Sequence, residues 1–192
     1  MVRRILALAA VIALLSTASA QDLVVYSSVD EENSRKLLDS FTADTGIQVQ
    51  MVFLSSGPAL SRIEAESNRP QADVWFGAPS ENHIVAKERG LTQAYVAPDA
   101  GALPAEFKAE GGFWRAIYTN PQAVGVRTDI LESRGATVPS TWQDLLDPQY
   151  RGLIQMPSPQ SSGTAYNLIL TLSGIHGEDG AFEFLKALND NI

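Results

Sequence analysis

The sequence predicts an α/β fold with a parallel sheet, because a strand, a turn of small residues and a helix follow one another three times. The predicted strands lie at residues 23–26, 47–53 and 72–76, where apolar and β-branched residues are concentrated. Strands that alternate with helices in this way pair in parallel through right-handed crossovers. We therefore expect a sheet whose strands all end at the same edge.

The first unit begins with an apolar run at residues 23–26 that no polar residue interrupts. Such a run is typical of a strand buried on both faces of a sheet. The helix that follows is predicted to turn Leu37, Leu38 and Phe41 toward the core and to end at Gly46.

The second and third units repeat this order with well-marked turns. The sequence Ser55-Ser56-Gly57 follows the second strand, and Pro58 occupies the expected first helical position, where a missing N–H is tolerated. The sequence Gly77-Ala78-Pro79 follows the third strand and begins a helix that ends at Gly90. Loops of small residues are therefore expected at the carboxyl ends of the parallel strands.

The second half of the chain is predicted to hold shorter elements. They are a loop at 92–112 with a short helix at 105–109, and strands at 113–118, 123–127 and 152–156. A capping box from Ser140 to Gln143 predicts a further helix. After the turn at 157–164, a helix is expected to end at Gly174, and a last helix is expected to bury Phe182, Leu185 and Leu188.

The predicted domain organisation has three parts. Residues 1–20 form a secretory signal, residues 21–119 a first α/β lobe, and residues 120–192 the N-terminal part of a second α/β lobe. The crossing is placed at Asn120, because Pro121 favours an extended break there. No closing element follows the last helical pattern, so the chain is predicted to be truncated within the second lobe.

The signal prediction rests on a basic start at Arg3 and Arg4, an apolar run at 5–15 and small residues at 18–20. It implies a periplasmic protein, and a retained N-terminal anchor is the alternative. The net charge is −8, and it becomes −10 without this segment, which contains two arginines and no acids. An acidic chain of this kind argues against nucleic acid as a partner. With no cysteine, the fold depends on burial of a core and has no disulfides.

The chain lacks the residue patterns of an enzyme. His83 and His176 are the only histidines, and an exposed or capping role is expected for each. No nucleophile elbow, zinc pattern, Walker loop or dinucleotide fingerprint occurs. The acids at 30–32 are typical of the first turn of a helix. We therefore predict no catalytic residue, no metal site and no cofactor, with a secreted serine hydrolase as the alternative from another class.

The turn at 161–164 is predicted to bind an anion. The first N–H groups of a helix have no internal partner, and the helix dipole is positive there. A small oxyanion can lie on such a backbone, although an ordinary Ser N-cap is the alternative. Ligands of open α/β sheets bind beyond the carboxyl ends of the strands. The predicted ligand-binding residues are Ser27, Ser28, Ser55, Ser56, Gly57, Gly77, Ala78, Asn120, Ser161, Ser162, Gly163 and Thr164.

Several stretches resemble the periplasmic solute-binding proteins of ABC importers, which have a two-lobed type II fold. These stretches are residues 23–28, 72–77, 140–152 and 157–164, and the likeness extends over residues 21–192. The sequence is most similar to the branch that contains ferric-ion-binding proteins and their relatives for phosphonates and phosphorylated sugars. The resemblance implies a monomer that captures a small solute in an interlobe cleft and delivers it to a membrane permease.

The same resemblance bears on the class of solute. The ferric binders use a His after the first strand and a Glu after the third, and the matching positions here are Asp30 and Ala78. Their adjacent tyrosines correspond to positions beyond residue 192. The family's anion-holding turn matches Ser162-Gly163-Thr164. We therefore expect a small anionic solute carrying a phosphonate, phosphate or similar group, with Fe(III) as the alternative transported ligand.

Overall fold

The computed structural model describes residues 22–192, and the predicted signal at 1–20 lies outside the described residues. The strands are β1 (Leu23–Ser27), β2 (Val49–Phe53) and β3 (Val74–Phe76). The α-helices are α1 (Glu31–Thr45), α2 (Ser56–Ala65), α3 (Ser80–Glu88), α4 (Thr128–Arg134) and α5 (Gly163–Asn189). Short 3-10 turns occupy Pro98–Ala102, Ala105–Phe107, Glu110–Gly112, Gln143–Leu146 and Pro148–Tyr150. In this part of the chain, no helix combines the length and apolarity that a membrane span requires.

The three strands form one parallel sheet in the order β2-β1-β3. The central strand β1 pairs with β2 along its whole length and with β3 from Val25 to Ser27. Val25 and Tyr26 are buried, as expected for a strand between two neighbours. The predicted α/β fold class and parallel pairing are confirmed.

Helix α1 is held at both ends as its sequence predicts. The Asp30 carboxylate accepts a hydrogen bond from Asn33 N at 3.0 Å, and Gly46 ends the helix with a φ of 75°. The predicted inner stripe is wrong at Leu37, whose side chain is 53% exposed. The buried residue of α1 is Ser34 instead, because its hydroxyl bonds to Ser27 Oγ inside the fold.

A second core forms around α5. Its buried residues are Leu145, Leu172, Ala181, Phe184 and Leu188, and the half-buried Trp142, Ile154 and Met156 pack against them. The helix does not end at Gly174 as predicted but continues to a break at Gly177, where φ is 75° and ψ is 169°. Phe184 enters the core, whereas Phe182 is 55% exposed, which corrects the prediction for the last helix.

The strands predicted at 113–118, 123–127 and 152–156 are absent from the described residues. A strand needs a neighbouring strand to pair its backbone groups, and residues 113–127 contribute only one isolated bridge, between Lys108 and Arg115. Ile154 and Met156 instead pack as irregular chain onto the helical core.

Smaller differences concern where helices begin. The predicted capping box is shifted by one residue, because the Thr141 hydroxyl accepts from Asp144 N while the Asp144 carboxylate accepts from Thr141 N. Helix α2 begins at Ser56, so Pro58 is its third residue and not its first. The short helix predicted at 105–109 is a 3-10 turn, and α4 was not predicted from the sequence.

Candidate functional site

A large cleft lies where the carboxyl ends of the strands face the start of α5. Its volume is about 1490 Å³. Strands β2 and β3 lie on opposite sides of β1, so the strand order reverses at β1. Open α/β sheets bind ligands at such a reversal. The predicted residues that line the cleft are Ser28, Ser55, Ser56, Gly77, Ala78, Asn120, Ser161, Ser162, Gly163 and Thr164.

Two predicted residues, Ser27 and Gly57, do not line the cleft. Ser27 is fully buried, and its Oγ lies 2.7 Å from Ser34 Oγ, so its hydroxyl stabilises the junction of β1 and α1. A Cβ added at Gly57 would lie 2.2 Å from the Gln160 carbonyl oxygen. Gly57 therefore allows the start of α2 to approach the turn before α5, although its own atoms do not line the cleft.

Gly163 makes a second close approach between these parts of the chain. A Cβ at this position would lie 2.6 Å from Ser56 Oγ and 2.7 Å from Pro79 Cδ. Any side chain would push the start of α5 away from the starts of α2 and α3. Glycine at 163 thus brings three helix starts together at one end of the cleft, which we call the donor end.

Two of the three helices at the donor end begin without a side-chain cap. Ser55 and Pro79 precede α2 and α3, and neither side chain accepts a hydrogen bond from its helix. At α5, Ser162 Oγ accepts from Ala165 N at 3.3 Å, so the N–H groups of Gly163 and Thr164 are left as the first free donors of the helix. The positive ends of α2 and α5 and several hydroxyls suit an anion at this point, whereas Glu81 adds a negative charge to the first turn of α3.

The loop after β3 has an unusual backbone. Gly77 has a φ of 84°, and a Cβ there would lie 2.6 Å from Val29 Cγ2. Ala78 also has a positive φ, of 69°, and no other non-glycine residue among residues 22–192 does. A left-handed alanine is strained, and such strain is found mostly at functional sites.

His83 holds this strained loop in place. Its Nε2 donates to the Gly77 carbonyl oxygen, and its ring lies against Trp75 with 4.4 Å between ring centroids. Trp75 Nε1 in turn donates to Ser28 Oγ at 3.1 Å. Burial lowers the pKa of His83 below the ordinary value of 6.5, so the ring is neutral at pH 7. The His83 side chain is half-buried, and its hydrogen bond supports the loop after β3. An exposed or capping role was expected from the sequence.

Asp30 and Tyr118 lie along another part of the cleft. Two hydrogen bonds from Asn33, first from its backbone N and then from its side chain, lower the pKa of the Asp30 carboxyl. Burial, and then the charge of Asp30, raise the pKa of Tyr118. In residues 22–192 no group of three or more His, Cys, Asp or Glu side chains is close enough to hold a metal ion.

A smaller recess lies beside Asn120 and was not predicted from the sequence. It has a volume of about 400 Å³ and is lined by Glu81, Asn120, Gln122, Trp142, Asn167, Leu170 and Thr171. We call it the amide recess. One signal was present in the sequence, because Gly163, Asn167 and Thr171 are spaced by four and share one face of α5.

Comparison with known proteins gives a consistent family. Residues 73–192 match the family of bacterial extracellular solute-binding proteins. A Salmonella typhimurium periplasmic protein with the provisional name of a 2-aminoethylphosphonate binder is 30% identical over 97% of this chain and 55% of its own length. This chain therefore spans about half the length of the curated relatives that it matches.

Solved structures show the same likeness. The periplasmic binding protein AfuA from Actinobacillus pleuropneumoniae, with exogenous fructose-6-phosphate bound, is 35% identical and has a TM-score of 0.82. The match covers 89% of this chain and 55% of AfuA. Iron-bound HitA from Pseudomonas aeruginosa, at 23% identity and a TM-score of 0.70, shares the fold over 88% of this chain and 54% of its own. The predicted type II periplasmic binding fold is confirmed, and the chain belongs to the bacterial extracellular solute-binding protein family.

Proposed function

We propose that this protein is the solute-binding component of an ABC importer, and that it captures a small solute bearing a phosphonate or phosphate group. The observation that carries the proposal is the meeting of three helix starts at the donor end of the cleft. The relatives support it, since AfuA has a sugar phosphate bound and the Salmonella protein is named for a phosphonate.

The anionic group would bind to neutral donors. The N–H groups of Gly163 and Thr164 and the hydroxyls of Ser56, Ser162 and Thr164 all lie at the donor end. A hydrogen bond to a charged group contributes about 1.5–3 kcal/mol, about twice the value for neutral partners. The chain as a whole has a net charge of −8, so attraction of an anion depends on these local dipoles and not on long-range steering.

The rest of the solute would extend across the cleft toward the loops after the strands. Ser28 lines the cleft after β1, beside the Gly77-Ala78 loop that leads to the start of α3. In this proposal residues 21–119 and 120–192 belong to two lobes that close on the solute by a hinge near Asn120. The monomer binds in the periplasm, delivers the solute to a membrane permease, and performs no catalysis and needs no resident cofactor.

Ferric iron is the weaker candidate. The Asp30 carboxylate is already used to cap α1, and Ala78 has no side chain that could bind a metal. Hard Fe(III) requires several oxygen ligands, whereas the donor end presents N–H groups and hydroxyls. The relatives with iron in their names share only 22–27% identity with this chain.

Native mass spectrometry of the protein purified from its own periplasm tests the proposal. We expect a colourless, phosphorus-containing ligand, and calorimetry should then show displacement by a phosphonate or a sugar phosphate. A visible charge-transfer band and a bound iron atom would support the ferric alternative. Turnover of the captured compound would contradict a pure binding role.

A further inference from the structure

The Ser28 hydroxyl, just after β1, accepts one hydrogen bond and donates none within residues 22–192. The bond that it accepts comes from Trp75 Nε1 on β3, at 3.1 Å. A serine hydroxyl has one hydrogen and two lone pairs, whereas an indole N–H can only donate. The bond from Trp75 therefore occupies a lone pair of Ser28 Oγ and leaves the hydroxyl hydrogen available. Because Ser28 lines the cleft, a solute can reach this hydrogen.

The preceding serine, Ser27, does not share this arrangement. Ser27 Oγ lies 2.7 Å from Ser34 Oγ, and the Ser27 side chain is fully buried. Its hydroxyl is thus satisfied inside the fold and cannot contact a solute. Two adjacent serines differ in this way because successive side chains of an extended chain point in opposite directions.

Trp75 and Ser28 are both held by further contacts. The Trp75 ring packs against His83 with 4.4 Å between ring centroids, and His83 Nε2 donates to the Gly77 carbonyl oxygen. The backbone of Ser28 is fixed by the same strand, since Ser28 N donates to the Phe76 carbonyl oxygen at 2.8 Å. Strand β3 and the loop after it thus orient both the backbone and the side chain of Ser28 before a solute binds.

A hydroxyl oriented in this way binds an acceptor more tightly than a freely rotating one. Binding otherwise has to immobilise the side chain, and a group that is already ordered avoids much of this cost. The bond from the indole also polarises the hydroxyl, since hydrogen bonds in a chain strengthen one another. The matching solute group is an oxygen, because its lone pairs can accept the hydroxyl hydrogen, whereas an ammonium group has no lone pair.

We infer that Trp75 is a positioning residue for the solute, and that it orients the Ser28 hydroxyl to donate a hydrogen bond to an oxygen of the bound solute. This inference rests on the proposed function and assigns a direction to one hydrogen bond in the same cleft. Trp75 then determines affinity through Ser28 and not through its own contact with the solute. A role in packing alone would change stability but would not link Trp75 to Ser28 in solute binding.

A double-mutant cycle measured by calorimetry tests the inference, with fructose-6-phosphate and 2-aminoethylphosphonate as probes. Trp75→Phe keeps an aromatic ring against His83 and removes the N–H donor. For the probe that the native protein binds more tightly, we expect Trp75→Phe and Ser28→Ala each to weaken binding about threefold. The double variant should also lose only about threefold, whereas two independent losses would multiply to about ninefold.

Two further variants separate positioning from packing. Replacement of Trp75 by benzothienylalanine keeps the shape of the ring and removes only the N–H, so it should weaken binding about threefold while retaining a normal unfolding transition. Ser27→Ala is the matched control for Ser28→Ala, and it should change affinity less than about twofold, with or without Trp75→Phe.

The outcomes distinguish this inference from the proposed function. Independent losses in the cycle of Trp75 and Ser28 would overturn the positioning role, and so would native affinity in the benzothienylalanine protein. Either result, obtained with a probe that the native protein binds, would leave the proposed function intact. Failure of the native protein to bind either phosphorus compound would overturn both.

Discussion

The two ends of the cleft are built in different ways. The donor end consists of the starts of α2, α3 and α5, each formed by a few consecutive small residues after a strand or turn. The amide recess takes Glu81, Asn120 and Asn167 from three distant parts of the chain. One end follows from local backbone geometry, and the other depends on how helices pack. If the proposed function is correct, the anionic group is bound by local structure and the rest of the solute meets surfaces that tertiary packing assembles.

The largest effect is expected from a negative charge placed at the donor end. We expect Gly163→Asp to weaken binding of a phosphonate or sugar phosphate by more than about 100-fold in calorimetry. Two like charges 4 Å apart repel by about 4 kcal/mol at an effective dielectric of 20. The new Cβ also lies within 2.6 Å of Ser56 Oγ.

Two control variants separate the effect of the charge from the effect of the steric contact. Gly174→Asp adds the same charge on the same helix, where an added Cβ meets no atom within 4 Å, and it should leave affinity unchanged. Gly163→Ala adds the steric contact without the charge and should give an intermediate loss. If Gly163→Asp bound as tightly as the native protein, the donor end would not be the anion site.

Most residues predicted for the site line the cleft, and the sequence could indicate them because their signals are local. A buried strand, small residues and an amphipathic helix follow one another within about 20 residues, and each signal concerns neighbours in the chain. Ser27 shows the limit of this reasoning. Its hydroxyl pairs with Ser34 on α1, whereas the next residue, Ser28, lines the cleft. The pattern indicates a serine turn but not which hydroxyl faces the ligand.

The amide recess and parts of the fold could not be predicted from the sequence, because the residues that meet there are far apart along the chain. Asn167 is an ordinary polar residue of a helix until Glu81 and Asn120 are placed beside it. The wrong strands at 113–118 and 123–127 have suitable composition but no neighbouring strand within the described residues. Ala181, Phe184 and Leu188 are spaced by three and four residues and share the buried face of α5, and this face excludes Phe182.

A smaller effect is expected at Thr164. Thr164→Ala should weaken every phosphorus-containing ligand by about fivefold, because one net hydrogen bond contributes about 1 kcal/mol. A calorimetric panel of phosphonates and sugar phosphates checks this. The loss should be uniform, since all these ligands share the anionic group. A loss confined to one ligand would place Thr164 on the solute tail instead.

Ser28 and Ser27 offer a test of the opposite side of the cleft. Ser28→Ala leaves Trp75 Nε1 without its acceptor, and we expect a two- to threefold change in the ranking of ligands, because each hydrogen bond there contributes about 1 kcal/mol or less. Ser27→Ala should instead lower the free energy of unfolding by about 1–3 kcal/mol, because it leaves Ser34 Oγ partly unsatisfied. If Ser27→Ala changed the ranking and Ser28→Ala did not, the assignment of the two hydroxyls would be reversed.

The smallest expected effect is a pH dependence of stability that comes from His83. Burial lowers the pKa of His83 below 6.5 in the folded protein, so the unfolded chain binds the proton more readily. Stability from the neutral ring is therefore fully present above pH 6.5 and is lost as the pH falls through that value to the folded pKa. The carboxyls with lowered pKa, such as those of Asp30 and Glu66, have ordinary values of 3.8 and 4.5 and lose their contribution at lower pH.

His83→Gln tests this because glutamine can still donate to the Gly77 carbonyl oxygen but cannot take up the proton. Urea unfolding between pH 7.5 and about pH 5 should show a decline in stability for the native protein and a flatter profile for the variant. His176→Gln, on the exposed surface of α5, should keep the native profile. Protonation of His83 should also affect the cleft, because the ring hydrogen-bonds to the Gly77 carbonyl oxygen next to the strained Ala78. If His83→Gln left the decline unchanged, a group other than His83 would be responsible for the loss of stability at low pH.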